Sequence, residues 1–247
     1  QHWSNTITLF EHTLKVTANN YLAHNNLGNA LARQGKLEQA KDHYVKALQI
    51  NPRFPRAHNN LATALARQGK SEEAIAHYTK ALEIKPTFPK AHNNLGNVLA
   101  RQGKNQEAIA HYTKALELNP DFAGAHNNLG NVLAGQGKIK EAVSHFSRAL
   151  ELSPDFVEAH FNLGNALARQ GNMDQAQAHF IRALELKPTF AEAHNSMGVI
   201  LARKGRLAEA IDQFSEALRL KPGFRQARVN LEIATREMGK EVGDSGR

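Results

Sequence analysis

Apolar and small residues recur at helical spacing along most of this chain, in blocks separated by short polar turns. The blocks come in pairs, and the whole pattern starts again after 34 residues. Within a pair the turn is Gln-Gly-Lys or a close variant, where glycine favours a helix end because it enters the left-handed conformation cheaply. A proline near the end of each pair stops the second helix, since proline lacks an amide donor. The pattern therefore predicts a repeated unit of helix, turn and helix.

The 34-residue period divides most of the chain into six copies without gaps. The copies cover residues 21–54, 55–88, 89–122, 123–156, 157–190 and 191–224. Residues 1–20 match a second helix alone and form a half repeat, and residues 225–239 match a first helix that caps the array. In this cap Glu232 replaces the usual glycine, as expected for a polar surface where stacking stops. Residues 240–247 are predicted to be a disordered tail.

Fixed small and large residues predict how these helices pack. Most first helices carry a glycine and all second helices carry alanines such as Ala40 and Ala47, which let neighbouring helices approach closely. Larger residues such as Leu27, Leu31 and Tyr44 fill the space between neighbours. One helix pair cannot bury such a face alone, so stacking of successive pairs supplies the core. The predicted fold is an all-α solenoid.

The repeated residues resemble those of the tetratricopeptide repeat (TPR) family. The residues that carry the resemblance in copy three are His92, Leu95, Gly96, Leu99, Ala108, Tyr112, Ala115 and Pro120. Two of them depart from the family pattern, with His in place of Trp or Tyr and Leu in place of Tyr, and neither threatens the fold. The resemblance covers residues 1–239 and implies a right-handed superhelix whose first helices line its concave side.

Composition limits the classes of function and partner. The net charge is +8, with 31 basic and 23 acidic side chains spread along the array, which favours anionic partners. The absence of cysteine excludes disulfides and thiolate metal sites. No apolar run reaches the roughly 20 residues that span a bilayer, so we expect no membrane insertion by this chain. Because it begins at Gln1 and not at Met, we expect a processed product or a part of a longer protein.

Asparagines form a stripe on the first helix once the packing positions are set aside. The sixth position of each copy, here called the asparagine column, has Asn26, Asn60, Asn94, Asn128, Asn162, Ser196 and, in the cap, Asn230. The ninth position adds Asn29, Asn97, Asn131 and Asn165, and the fifth adds Asn25, Asn59, Asn93, Asn127 and Asn195. Because an amide both donates and accepts, the column can pair with the backbone of an extended peptide. The alternative is that these amides bond only to neighbouring helices and solvent.

Arginines form a second row at the thirteenth position of the repeat. This arginine row consists of Arg33, Arg67, Arg101, Arg169 and Arg203, and is interrupted by Gly135. The row favours acidic or phosphorylated segments of a partner. It is equally explained by the helix dipole, which stabilises a cation near a helix C-terminus. Since the second position changes from Arg56 and Lys90 to Glu158 and Glu192, we expect a groove that is basic early and mixed late.

Other chemistries have little support in the sequence. Histidines recur at the fourth and twenty-third positions, and we expect packing or surface roles for them because a metal ion needs convergent ligands. Their protonation near about pH 6 would make association depend on pH. No catalytic constellation or phosphate loop stands out, so we expect neither an enzyme nor a cofactor. The stripe has almost no aromatic residues for base stacking, which argues against nucleic acid.

Three hypotheses for function remain. The leading one is a non-enzymatic scaffold whose concave, asparagine-lined groove holds an extended protein or peptide segment, since the column resembles the asparagine ladder in the TPR superhelix of O-linked N-acetylglucosamine transferase. The second is a structural spacer or self-association module that forms homo-oligomers through its repeat ends or convex face. The third is a substrate-recruiting tail of a larger membrane-anchored enzyme, because Trp3-Ser4-Asn5-Thr6 resembles the start of TPR tails in bacterial membrane glycosyltransferase-like proteins.

Overall fold

The computed structural model describes residues 6–245, with side chains for residues 6–240. The described residues form fourteen α-helices and no strand. The helices are α1 (Thr6–Val16), α2 (Tyr21–Arg33), α3 (Leu37–Ile50), α4 (Pro55–Arg67), α5 (Ser71–Ile84), α6 (Pro89–Arg101), α7 (Asn105–Leu118), α8 (Ala123–Gly135), α9 (Ile139–Leu152), α10 (Val157–Arg169), α11 (Met173–Leu186), α12 (Ala191–Arg203), α13 (Leu207–Leu220) and α14 (Arg225–Ser245). The predicted all-α class is confirmed. Within residues 6–245, no helix is both long enough and apolar enough to cross a membrane.

The helices fall into two compact units, Gln1–Asp121 and Phe122–Arg247. In the first unit α2 pairs with α3, α4 with α5 and α6 with α7, while α1 packs against α2. Successive pairs stack through α3 against α4 and through α5 against α6. In the second unit α8 pairs with α9, α10 with α11 and α12 with α13, and α14 packs against α13 and α12. Within each unit, this stacking of helix pairs confirms the predicted solenoid.

The turn inside each helix pair depends on glycine. The turn glycines have φ between 73° and 86°, in the left-handed region, and are Gly35, Gly69, Gly103, Gly137, Gly171 and Gly205. In copy one the amide of Lys36 donates to the carbonyl of Leu31 at 3.0 Å, which satisfies a carbonyl at the end of α2. Each of these glycines therefore ends the first helix where the sequence predicted.

One close contact sets the spacing between the two helices of a pair. A Cβ added to Gly96 would lie 2.7 Å from Cε1 of Tyr112, whose ring is 2% exposed. The glycine thus lets the aromatic ring of the second helix lie directly against the backbone of the first. The same contact joins Gly28 to Tyr44, and in the second unit it recurs with phenylalanine. The pairs in the second unit are Gly130 with Phe146, Gly164 with Phe180, and Gly198 with Phe214.

The two ends of the array differ from the inner copies. Helix α1 packs against α2 in the manner of a second helix, although residues 1–5, with the Trp3-Ser4-Asn5 stretch, lie outside the described residues. Helix α14 continues past Gly239, its predicted end, to Ser245. A glycine inside a helix costs only about 1 kcal/mol, and no proline follows it here, so Gly239 does not stop the helix. Of the predicted tail, residues 246 and 247 lie outside the described residues.

The glycine-aromatic contact gives a first prediction about stability. Gly96→Val should lower the free energy of unfolding by about 1 to 3 kcal/mol, because the added methyl groups collide with the Tyr112 ring. Gly96→Ala is the matched comparison and should cost less, since it adds a single methyl group and copy two carries the fully buried Ala62 at this position. The midpoint of urea unfolding, followed by circular dichroism, measures both variants. Equal midpoints for the two variants would contradict this account of the contact.

Candidate functional site

The asparagine column bonds from each repeat to the one before it. Asn60 Nδ2 donates to Asn25 Oδ1 at 3.0 Å and to Asn29 Oδ1 at 2.9 Å, and Asn94 Nδ2 donates to Asn59 Oδ1 at 3.2 Å. In the second unit Asn162 Nδ2 donates to Asn127 Oδ1 and Asn230 Nδ2 donates to Asn195 Oδ1, both at 2.9 Å. The accepting residues at the fifth position are buried, whereas the asparagine column is half-buried. The column therefore has a structural role and still keeps one side open to solvent.

Single asparagines of the column differ in how much hydrogen-bonding capacity remains. Both amide hydrogens of Asn60 are used, and its Oδ1 accepts from Asn59 at 3.2 Å. Asn162 donates only one bond, so its second amide hydrogen and its Oδ1 have no partner in the described part of the chain. Asn94 likewise keeps one amide hydrogen. These groups are the hydrogen-bonding capacity of the column that the array itself does not use.

The ninth-position residues meet the aromatic ring of the paired helix, 15 residues further along the chain. Tyr44 donates its hydroxyl hydrogen to Asn29 Oδ1 at 2.9 Å, and Tyr112 donates to Asn97 Oδ1 at 2.8 Å. Burial raises the pKa of Tyr44 to about 12, against a smaller opposing effect of the nearby cations Arg67 and Arg33. The hydroxyl therefore stays protonated and remains a donor at neutral pH.

The arginine row is exposed, and its members have different surroundings. Arg169 donates from Nη1 to the carbonyl oxygen of Ala134 at 2.8 Å, near the end of the preceding first helix α8. This bond fits the helix-dipole explanation of the row. Arg33 and Arg67 instead lie near the Tyr44 hydroxyl, where their charges act on its pKa. The members of the row thus differ in the groups that they contact.

One cleft in each unit brings predicted site residues together. The unit 1 cleft, about 440 Å³ in volume, is lined by Asn29, Ala32, Arg33, Leu37, Tyr44, Asn60, Thr63, Ala64, Arg67 and Lys90. The unit 2 cleft, about 560 Å³, is lined by Asn165, Ala168, Arg169, Phe180, Ser196, Val199, Ile200 and Arg203. Both combine the ninth-position residues with the arginine row. The aromatic ring in each lining was not among the predicted site residues, although its fixed distance of 15 residues from the ninth position was a usable signal.

The two histidine columns, which the sequence analysis treated separately, meet inside each repeat. In five copies the two Nδ1 atoms of residues 19 apart lie 3.0 Å from each other. The pairs are His24 with His43, His58 with His77, His92 with His111, His126 with His145, and His160 with His179. In copy six His194 Nδ1 contacts Gln213 Oε1 at 2.8 Å. Among the described residues, no group of three or more metal-ligating side chains forms.

The hydrogen bonds of a histidine pair fix which nitrogen carries the proton. His58 Nε2 lies 3.0 Å from the carbonyl oxygen of Pro52, which can only accept, so this nitrogen carries the hydrogen. In neutral His58 the Nδ1 atom is then an acceptor, and His77 donates to it from its own Nδ1. Burial is the main cause that lowers the pKa of both residues, and a positive charge on His58 lowers the pKa of His77 further. The folded pair therefore resists double protonation.

The histidine pairs predict that stability falls in mild acid. Burial lowers the folded-state pKa values of His58, His77, His92 and His111 below the ordinary value of about 6.5, so the unfolded chain binds more protons as the pH falls through this range. The stabilising contribution is complete above about pH 6.5 and is lost below it. We expect the urea midpoint to decrease from about pH 7.5 to about pH 5.5.

The sixth copy supplies the control for this pH effect. Gln213 already replaces the second histidine there, so the control variant carries His43→Gln, His77→Gln, His111→Gln, His145→Gln and His179→Gln. With one titrating member removed from each pair, the decrease in midpoint should be smaller. An unchanged pH dependence in this variant would show that other groups cause it.

Two family models match most of the chain. A model described as TPR repeat matches residues 28–69, 62–103, 96–137 and 130–171, and one described as tetratricopeptide repeat matches residues 161–223. No curated protein matches the chain in sequence.

Solved structures of TPR proteins are similar to the chain. The crystal structure of YrrB, described as a TPR protein with an unusual peptide-binding site, is 30% identical with a TM-score of 0.59, and the match covers 74% of this chain and 95% of YrrB. PilF of Pseudomonas aeruginosa is 23% identical with a TM-score of 0.78, over 88% of this chain and 97% of PilF. A chain of the Cut9–Hcn1 hetero-tetramer of the APC/C is 21% identical with a TM-score of 0.87, over 93% of this chain but only 46% of its own length. The last two likenesses show the fold alone.

Proposed function

The chain belongs to the tetratricopeptide repeat family, and from this premise we propose that it holds an extended protein or peptide segment along the asparagine column of its first helices. TPR repeats generally act as protein-binding scaffolds. The proposal is more specific, because it names the face, the binding groups and the charge of the ligand. It assigns no catalytic role to the chain.

The observation that carries this proposal is the regular orientation of the amides in the column. Bonds to the fifth-position asparagines hold the column side chains in place, so a ligand does not have to order them. Asn94 and Asn162 keep an amide hydrogen for a ligand carbonyl, and Asn162 also keeps its Oδ1 for a ligand amide. Backbone groups of an extended segment are the partners that such alternating donors and acceptors fit. The peptide-binding site described for YrrB, a similar protein, agrees with this ligand class.

An acidic segment fits the charge of the first unit best. Its three inner first helices, α2, α4 and α6, contain no Asp or Glu and carry Arg33, Arg56, Arg67, Lys90 and Arg101. Three of these cations, Arg33, Arg67 and Lys90, line the unit 1 cleft, and none of the three forms an ion pair with a residue that the structure describes. In the second unit, α10 and α12 carry Glu158 and Glu192 as well as one arginine each, and Glu192 pairs with Lys221. The acidic part of a ligand should therefore bind to the first unit.

Removal of the column amides tests the binding mode. Asn94→Ala, Asn128→Ala and Asn162→Ala together should raise the Kd of peptides selected on an array of short acidic sequences by about tenfold or more, since each lost bond contributes about 0.5 to 1.5 kcal/mol. Fluorescence anisotropy measures the affinity, and circular dichroism checks the helix content. Asn105→Ala, an exposed asparagine of the second helix α7, is the control and should leave the Kd unchanged. An unchanged Kd in the triple variant would exclude the column as the binding surface.

Removal of two cations tests the charge of the ligand. Arg33→Ala with Arg67→Ala should weaken binding of a glutamate-rich peptide and flatten its dependence on salt concentration, because the lost attraction is electrostatic. The same peptide with glutamine in place of glutamate should bind both proteins equally. Lys140→Ala, an exposed cation of the second helix α9, is the control. If the Lys140 variant weakens binding as much, net charge and not the cleft determines the preference.

A further inference from the structure

The unit 1 and unit 2 clefts occupy the same place in the repeat but have different floors. The floor of a cleft is here the set of its lining residues other than the exposed cations. Their linings correspond one to one at eight positions, and four of these positions differ. The changes from unit 1 to unit 2 are Tyr44 to Phe180, Asn60 to Ser196, Thr63 to Val199, and Ala64 to Ile200. Three of the four changes remove or shorten a polar group, and the fourth adds apolar volume. The duplication therefore provides two versions of one cleft, and the unit 2 version is the less polar of the two.

The polar groups of the unit 1 cleft satisfy one another. Asn29 Oδ1 accepts from the Tyr44 hydroxyl at 2.9 Å and from Asn60 Nδ2 at 2.9 Å. The Thr63 hydroxyl donates to the Asn59 carbonyl at 2.8 Å and lies 2.9 Å from the Tyr78 hydroxyl. A ligand that enters this cleft therefore meets a polar floor flanked by cations.

The unit 2 cleft has few polar groups at its floor. Phe180 has no hydroxyl, and Val199 and Ile200 cannot form side-chain hydrogen bonds. Ser196 donates to Asn165 Oδ1 at 3.2 Å, and its shorter side chain leaves more room than Asn60 does in unit 1. The unit 2 cleft is accordingly larger, at about 560 Å³ against about 440 Å³. Water in contact with such a floor finds few partners, so an apolar group gains free energy when it replaces that water.

Charge decides which apolar group fits this site. The charged residues that line the unit 2 cleft, Arg169 and Arg203, are both cationic and exposed, and the lining contains no Asp or Glu. Arg169 is held by its bond to the Ala134 carbonyl. When an aliphatic side chain enters the cleft, the residues next to it in the ligand lie close to the positive charge of these arginines. A ligand with an apolar side chain between acidic residues therefore complements both the apolar floor and the two arginines.

We propose that the unit 2 cleft is a specificity pocket for one large aliphatic side chain, such as leucine, flanked by acidic residues in the bound segment of a partner protein. The inference rests on the proposed function, because it requires that a segment lies along the first helices. It goes further by naming a side chain that the ligand must carry. The unit 1 cleft makes no such demand, since its floor is polar.

Two labelled peptides with a glutamate-rich sequence test the pocket, one with a central leucine and one with alanine in its place. Wild-type protein should bind the leucine peptide about five- to tenfold more tightly, because the leucine buries three more carbon atoms in part. The decisive variant copies the polar residues of unit 1 into unit 2 and carries Phe180→Tyr, Ser196→Asn and Val199→Thr. Since the same residues already pack in unit 1, this variant should fold, and its preference for leucine should fall below about twofold.

Methyl NMR spectra of Val199 and Ile200 locate the bound side chain independently of affinity. Their signals should shift on titration with the leucine peptide and much less with the alanine peptide. Equal Kd values of wild-type protein for both peptides, or a preference that persists in the variant, would overturn the inference. In a sample without peptide, methyl signals of Val199 and Ile200 that shift with protein concentration would overturn the inference too, because a second copy of the chain would then occupy the cleft.

The asparagine triple variant separates this inference from the proposed function. It should weaken both peptides by the same factor and leave the ratio of their Kd values unchanged. If the ratio is one in wild-type protein while the triple variant still weakens both peptides, only the pocket is excluded. If the triple variant binds both as wild type does, the proposed groove itself is excluded, and with it the pocket.

Discussion

The contact between a small residue of the first helix and an aromatic ring of the second is the constraint on which the rest of each repeat depends, and the small residue is glycine in five copies and Ala62 in copy two. In five copies the ring lies where a Cβ of the glycine would otherwise be, at 2.5 to 2.7 Å from the nearest ring carbon. This contact brings the two helices close and fixes their rotation about their own axes. The ninth position then faces the para position of the ring, and the two histidine columns come within 3.0 Å of each other. The surface chemistry of the repeat is thus a consequence of its packing.

Because the ring is needed for packing but its hydroxyl is not, tyrosine and phenylalanine exchange at little structural cost. Tyr44, Tyr78 and Tyr112 occupy this position in the first unit, and Phe146, Phe180 and Phe214 occupy it in the second. All six rings are almost completely buried, so the core is the same in both units. The hydroxyl reaches the ninth position beside the cleft, and its loss changes the polarity of the floor. A substitution in the core therefore alters the polarity of the cleft without altering the fold.

The sequence predicted the helices better than the contacts between them. The 34-residue period, the left-handed glycines and the closing prolines determine where helices end, and these are local effects. The pairing of His58 with His77, and of Tyr44 with Asn29, depends on how two helices are rotated against each other, which residue spacing alone does not specify. For the same reason, the hydrogen-bond partners of the predicted asparagines and arginines could not be inferred without that rotation. Gly239 was predicted to end the last helix and does not, because a glycine inside a helix costs only about 1 kcal/mol.

The structural and the binding interpretations of the asparagine column are compatible, because an amide has more hydrogen-bonding groups than its neighbours in the repeat use. The bond from Asn162 to Asn127 occupies one hydrogen and leaves the second hydrogen and the carbonyl oxygen. Without that bond the side chain would rotate freely, and a ligand would have to order it at a cost in entropy. Asn60 shows the limit of this arrangement, since both of its hydrogens bond to copy one and a ligand can use only its oxygen. The contribution of a column residue to binding should therefore follow the number of its hydrogens that the array leaves unused, and Asn162 should contribute more than Asn60.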